Sequence, residues 1–172
     1  GDAPAIIIYD AGGTEIQRIG FEGTAWYGSP RWSPAANLIA MHRQDESGAR
    51  YTVYSVDEAR FVAESETPKV SDRIGGRCGG GDMWQTDWSR DGQRVLYSFT
   101  WGDTGANGIW SWDVATGERR VIVAAGAGSA SAGSGTTVMF GASVQHIFIG
   151  SSDGGLPRIV TDGAQPAWFV GP

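Results

Sequence analysis

Thr86-Asp87-Trp88-Ser89-Arg90-Asp91-Gly92, followed by the apolar run Arg94-Val95-Leu96-Tyr97-Ser98, has a counterpart earlier in the chain. Pro30-Arg31-Trp32-Ser33-Pro34 is followed in the same way by Asn37-Leu38-Ile39-Ala40-Met41, with the two tryptophans 56 positions apart. Each stretch reads as a Trp-Ser opening, a tight turn and a strand. Alternating side chains bounded by Gly, Asp, Asn and Pro are strand and turn signals. Working outward, Ile109-Trp110-Ser111-Trp112-Asp113 and Arg119-Arg120-Val121-Ile122-Val123 frame an Asp/Gly turn, as do Ile6-Ile7-Ile8-Tyr9-Asp10 and Glu15-Ile16-Gln17-Arg18-Ile19. Tyr51 to Asp57 and Arg60 to Ala63 give a third version. Val56 to Glu66 also suits a short helix, and the strand reading is preferred because its counterparts are strands.

A full unit is then four strands: a, turn, b, loop, c, Asp/Gly turn, d. Four strands in roughly 40 to 50 residues is the period of a β-propeller blade. A third unit is read by aligning Met139 with the two tryptophans, so that Met139 to Ser143 forms the turn and His146-Ile147-Phe148-Ile149 the next strand. On that alignment the third unit is about one strand short. A fourth opening stands at Gln165-Pro166-Ala167-Trp168. Gly75 to Gly81 and Ala124 to Gly135 are read as small-residue loops without periodicity. The expectation is one all-β domain over residues 1–172. It is a propeller of about four short antiparallel blades, some three-stranded, or a partial ring of a larger propeller. An unclosed ring leaves strand edges that pair with something, so a homo-oligomer through open blade edges belongs to the same reading.

These repeats resemble those of the TolB-type propeller family, whose unit runs Pro-x-Trp-Ser-Pro-Asp-Gly, an apolar strand, Ile-Tyr-x-x-Asp, a Gly turn and a basic-apolar strand. Trp88 to Gly92 departs from it at Arg90, and Pro30 to Pro34 lacks the Asp-Gly. Ile8-Tyr9-Asp10-Ala11-Gly12-Gly13 matches the later hairpin in part, and Gln165 to Trp168 matches the entry. The resemblance implies the propeller fold, with terminal strands shared in ring closure, and a bacterial periplasmic or extracellular setting. It leaves function open, because such propellers occur as scaffolds, as gating domains of serine peptidases and in carbohydrate-active enzymes.

With 27 Gly and 8 Trp in 172 residues, the composition suits turns and short strands with a sizeable core. A net charge of −6 and a single lysine, Lys69, argue against nucleic acid, whose affinity comes from clustered Lys and Arg. No apolar run approaches the ~18 residues of a membrane span. The chain starts at Gly1 without Met, so removal of a preceding segment is expected. The lone Cys78 rules out an internal disulfide and has no CxxC partner for zinc.

Candidate chemistry is sparse. Gly150-Ser151-Ser152-Asp153-Gly154 has the Gly-x-Ser-x-Gly spacing, but a strand follows it and His42 and His146 both precede it, so a hairpin turn is the better reading. Gly75 to Gly81 lacks the Lys-Ser/Thr and the helix of a phosphate loop. Asp45, Glu46, Asp82, Asp103 and Asp153 lack the spacing of a calcium loop. Trp32, Trp88 and Trp168 are read as blade-packing residues, and Trp110 and Trp112 as one strand face between blades. Trp26, Tyr27, Trp84 and Trp101 lie in or beside loops, where aromatics serve binding. The binding residues expected are Arg73, Arg77, Asp82, Trp84 and Trp101. No catalytic residue, cofactor or metal is expected, and the partner is a protein or, alternatively, a glycan. A gating propeller of a larger hydrolase is the third reading.

Overall fold

The computed structural model describes residues 5–21, 23–65, 86–101, 106–123, 127–132, 137–142, 146–151 and 158–162. Among them every regular element is a β-strand. The strands are β1 (Ala5–Tyr9), β2 (Glu15–Gly20), β3 (Trp26–Trp32), β4 (Leu38–Asp45), β5 (Gly48–Ser55), β6 (Arg60–Glu64) and β7 (Thr86–Trp88). They continue as β8 (Arg94–Trp101), β9 (Ala106–Asp113), β10 (Arg119–Val123), β11 (Ala127–Ala132), β12 (Thr137–Ala142), β13 (His146–Ser151) and β14 (Arg158–Asp162). They form a two-stranded sheet β1–β2 and three four-stranded meanders, β3 to β6, β7 to β10 and β11 to β14. All pairs are antiparallel. The leading strands neighbour one another: β7 lies against β3 and β4, and β11 against β7, β8 and β9. These are blades of a β-propeller arranged in series.

Apolar layers fill the spaces between sheets. Ile39, Met41 and Tyr54 meet Ile8 and Ile19 on the side of β1–β2. Ala40, Tyr51 and Val53, on the opposite face of the same sheet, meet Trp88, Val95, Tyr97 and Trp112 of the next blade. Ile39-Ala40-Met41 is therefore buried continuously, one side chain to each face in turn, as a strand covered on both sides requires. Each large side chain in such a layer contributes about 1.5–3 kcal/mol by leaving water.

The turns explain the repeated letters. Ser33 N donates to Leu38 O and Ser89 N to Arg94 O, both at 2.8 Å, closing the a–b turns alike. In the second turn Asp91 Oδ1 accepts from Ser89 Oγ at 2.6 Å and from Gln93 N at 3.0 Å. Gly92 takes a φ of 69° and stands so close to the first blade that a Cβ on it would meet Ala35 Cβ at 2.7 Å and Ser33 Oγ at 2.8 Å. In the c–d turns Asp10 Oδ1 accepts from Gly12 N and Thr14 N, and Asp113 Oδ1 from Ala115 N and Thr116 N. This is why Asp opens each of these turns. In the first full blade Ser55 does the same for Glu58 N. Of the stretch Val56 to Glu66, Arg60–Glu64 is strand β6, Val56 to Ala59 is the turn before it, and Glu66 lies outside the described residues.

Three expectations are corrected. The third blade has four strands, because Ala127–Ala132, within the stretch read as a loop, is its first strand, β11. Ala-Gly-Ser-Ala-Ser-Ala carries no β-branched or aromatic residue, so pairing to β12 and proximity to the preceding blade make it a strand, not local preference. Met139 consequently lies inside the second strand, β12, and not at the entry turn. Trp32 is not a packed residue: it is 49% exposed, whereas Trp88 is 2% exposed. Trp168 lies outside the described residues.

Candidate functional site

An antiparallel meander sends its b–c hairpins and its d–a connections to one end. At that end stand the turn after Asp45 and the strand ends Gly20, Glu64, Trp101, Val123 and Ala142. The a–b and c–d turns, with their Asp, Ser and Gly residues, stand at the opposite end.

The hairpin end of the first full blade carries a charged lattice. Asp45 and Gly48 pair across a two-residue turn, with Gly48 at a φ of 116°. Arg50 bridges Asp45 at 2.8 Å and Glu64 at 2.6 Å, and Arg43 bridges the same two carboxylates at 2.9 and 3.0 Å. Arg50 also donates to Ser47 Oγ. The Ser47 hydroxyl, donating at 2.5 Å, is the largest cause that lowers the Asp45 carboxyl to about 2, with Arg50 adding to it against the opposing effect of burial. Two cations and two anions cancel, so the lattice fixes the hairpin without a net field.

On the opposite face of this sheet runs a line of rings. Trp26 begins β3 and is 55% exposed. Its indole lies over Gly28, two residues along the same strand face, where a Cβ would come within 2.5 Å of Cη2. Its edge meets His42 at 5.4 Å between centroids, His42 meets Tyr51 at 6.0 Å, and Tyr51 meets Tyr97 of the next blade at 4.5 Å. The line thus passes from solvent into the seam between two blades. Burial pushes the Tyr97 hydroxyl up to about 12, so that end of the line stays neutral. On the other face of β3, Tyr27 stacks between Phe21 at 4.5 Å and Phe61 at 5.5 Å, under the Arg43 guanidinium at 5.8 Å.

Of the expected binding residues, Trp101 ends β8 opposite Ala106, at the hairpin end. Arg73, Arg77, Asp82 and Trp84, together with Cys78, lie outside the described residues; the flanking positions Ser65 and Thr86 stand at the same end. The residue that sequence reasoning left off its site was Trp26, although it named it among the loop aromatics. The signal was Trp26-x-Gly28: positions two apart on a strand share a face, and glycine makes room for a ring. Of the other motifs, Gly150 and Ser151 end β13, which pairs antiparallel with β14, and Ser152 to Gly154 lie outside the described residues. His42 is buried and in ring contact. Trp110 and Trp112 do pack between blades. Among the described residues no cluster of His, Cys, Asp and Glu could hold a metal ion, and no helix is long and apolar enough to cross a membrane.

No protein-family model matches the sequence, and no curated protein matches it. Solved structures do match by fold. TolB from Acinetobacter baumannii superposes over 90% of this chain and 37% of its own, with a TM-score of 0.62 and 16% identity. The dihydro-heme d1 dehydrogenase NirN, solved in complex with DHE, superposes over 92% of this chain and 33% of its own, with a TM-score of 0.60 and 16% identity. The chain therefore spans about a third of the length of each, and the likeness is one of fold. Since one of these proteins is a dehydrogenase, the propeller alone does not choose between binding and catalysis.

Proposed function

We propose that the chain is a non-catalytic binding module of TolB-like ancestry that presents its hairpin end to a protein partner. The observation that carries this is the Trp26 indole, held over Gly28 and exposed at the mouth of the seam between two blades. Exposed tryptophan on a rigid support is what anchors protein interfaces. The neutral lattice of Arg43, Asp45, Arg50 and Glu64 stiffens the same hairpin from the opposite face of the sheet. Residues 66–85, with Arg73, Arg77, Asp82 and Trp84, join the two blades that form this seam, and Trp101 ends a strand at the same end. They complete the proposed surface. A periplasmic or extracellular setting accords with the TolB likeness.

The test begins with proteins that the immobilised chain retains from a bacterial cell-envelope extract, each then purified and titrated. Trp26→Ala should weaken binding about tenfold or more, on the scale of an interface anchor. Gly28→Ala, which pushes the indole off its support, should weaken it to a lesser degree. Circular dichroism and the unfolding midpoint should stay unchanged for Trp26→Ala. If the purified partners bind the variants as they bind the wild type, the surface is elsewhere. If a glycan array is what the chain binds, and Trp26→Ala abolishes it, the partner is a carbohydrate stacking on the same ring.

A further inference from the structure

The leading strand of the first full blade changes its pairing part-way along. Trp32 pairs with Ile39 and Arg31 with Ala40, whereas Gly28 pairs with His42, Tyr27 with Arg43 and Trp26 with Gln44. Three steps along β3, from Gly28 to Arg31, therefore match two along β4, from Ala40 to His42. One residue is extra, and Ser29 and Pro30 together stand opposite Met41, a β-bulge. Ser29 takes a φ of 51°, in the left-handed region that a serine seldom enters. Pro30 has no N–H to leave unpaired in the disturbed ladder, and β3 is the edge strand of its sheet, where proline is tolerated. On the far side of the bulge the strand is anchored to the next blade, because the Arg31 carbonyl accepts from Trp88 Nε1 at 2.9 Å.

The extra residue exchanges the faces of the strand. In an unbroken strand, positions an even number apart share a face. Trp26 would then follow Trp32 to the face of Ile39, toward β1–β2, and Tyr27 would face the second blade. The structure has the reverse. The Trp26 indole meets His42, on the face of Ala40 and Tyr51, and Tyr27 lies with Phe21 and Phe61 on the face of Ile39 and Met41. We propose that the Ser29–Pro30 bulge is the positioning element of the Trp26 surface: it selects the indole, and not the Tyr27 phenol, for the seam between blades. The functional side of this rests on the reading of Trp26 as part of the binding face. In β11 the register shifts in the same sense between Ala127 and Ala130, but Ala127-Gly128-Ser129 brings no ring to be re-aimed, and in β7 the pairing is unbroken. Among the described leading strands, the bulge redirects an aromatic in β3 alone.

Nuclear Overhauser spectra of the full chain test this by asking which ring lies against the His42 imidazole. In the wild type it should be Trp26. Ser29→Gly permits the positive φ, and deletion of Ser29 removes the extra residue; both should keep the Trp26–His42 contact. Ser29→Val combined with Pro30→Val opposes the bulge at unchanged length, because β-branched residues avoid a positive φ. In that double variant Tyr27 should replace Trp26 against His42. Pro30→Val with Ser29 deleted should bring Trp26 back, a rescue by length that a merely structural defect would not show. Should the double variant fail to fold, the shortened Pro30→Val chain decides: folding with Trp26 on His42 supports the proposal, and failure to fold overturns it, since proline itself and not the residue count then holds the strand. Trp26 on His42 in a folded double variant overturns it, as does loss of that contact when Ser29 is deleted. An envelope protein purified as above serves as the binding probe. Its affinity should stay near the wild-type value for Ser29→Gly and both shortened chains, and fall about tenfold or more for the double variant. Rings that exchange while binding stays unchanged uphold the bulge and overturn the binding face.

Discussion

The first full blade, β3 to β6, and the second, β7 to β10, are built on one plan and filled with different letters. Leu38 holds the place of Arg94, and Ser55 that of Asp113. Where the second blade closes its a–b end with an Arg94–Asp113 ion pair at 3.3 Å, the first has an apolar residue opposite a serine. Where the second has Gly117 at a φ of 76°, the first puts Ala59 into the same left-handed region at 53°. Trp88 is sealed and Trp32 is half open. The lesson is that the repeat prescribes strands, turns and facing directions, while burial is decided by whichever blade stands in front.

The largest effect that could break this comparison lies in the tryptophan pair. Trp88→Ala should cost about 3–5 kcal/mol, the range for emptying a packed aromatic site. Trp32→Ala, measured in dilute solution, should stay within about 0.5 kcal/mol, as for an exposed position. Denaturant unfolding at matched m-values compares the two, and equal losses would mean that Trp32 is buried in solution. Next comes the a–b turn. Gly92→Ala meets both a left-handed φ, costing about 1–2 kcal/mol, and the near contact with Ala35 and Ser33. It should therefore lower stability by about 2 kcal/mol or more, while Ala36→Gly at the corresponding place in the first blade should change it by well under that. The thermal midpoints of the two variants sharpen how much the seam between turns contributes.

The smallest effect expected concerns pH. Asp91 is held below the usual carboxylate range, chiefly by the Ser89 hydroxyl, and Asp113 chiefly by the Thr116 backbone N–H. Depressed folded-state values mean stability that is complete above the unfolded value near 4 and is lost as pH falls through the lower folded values. The first blade has Ala35 and Ser55 at these places and lacks that acid sensitivity at its turn end. Unfolding midpoints followed from pH 5 down to 2 should fall more gently in Asp113→Asn than in wild type. An unchanged acid limb would show that the turn carboxylates do not carry it.

How legible this was depended on the side chains involved. The b and c strands announced themselves because both faces are covered, leaving unbroken runs such as Leu38 to Met41 and Val95 to Tyr97. The turns did so because an Asp side chain or a Gly backbone is needed to close them. β11 was illegible, since Ala, Gly and Ser report neither period nor preference and the strand exists through its neighbours. Of the proposed site, the sequence named aromatics near loops, one of which, Trp101, ends a strand at the hairpin end. Its focus on Trp26 needed coordinates, because only the approach of the indole to Gly28 and His42 distinguishes a supported ring from a loose one.

By itself the amino-acid order determined the antiparallel units and the places where they turn, because these follow from local hydrogen bonding and a period of two. Tertiary structure alone decided which equivalent tryptophan is sheltered, which small-residue stretch is a strand and where an exposed ring meets a seam. Those outcomes depend on what stands across the gap between sheets, a distance along the chain that no local pattern encodes.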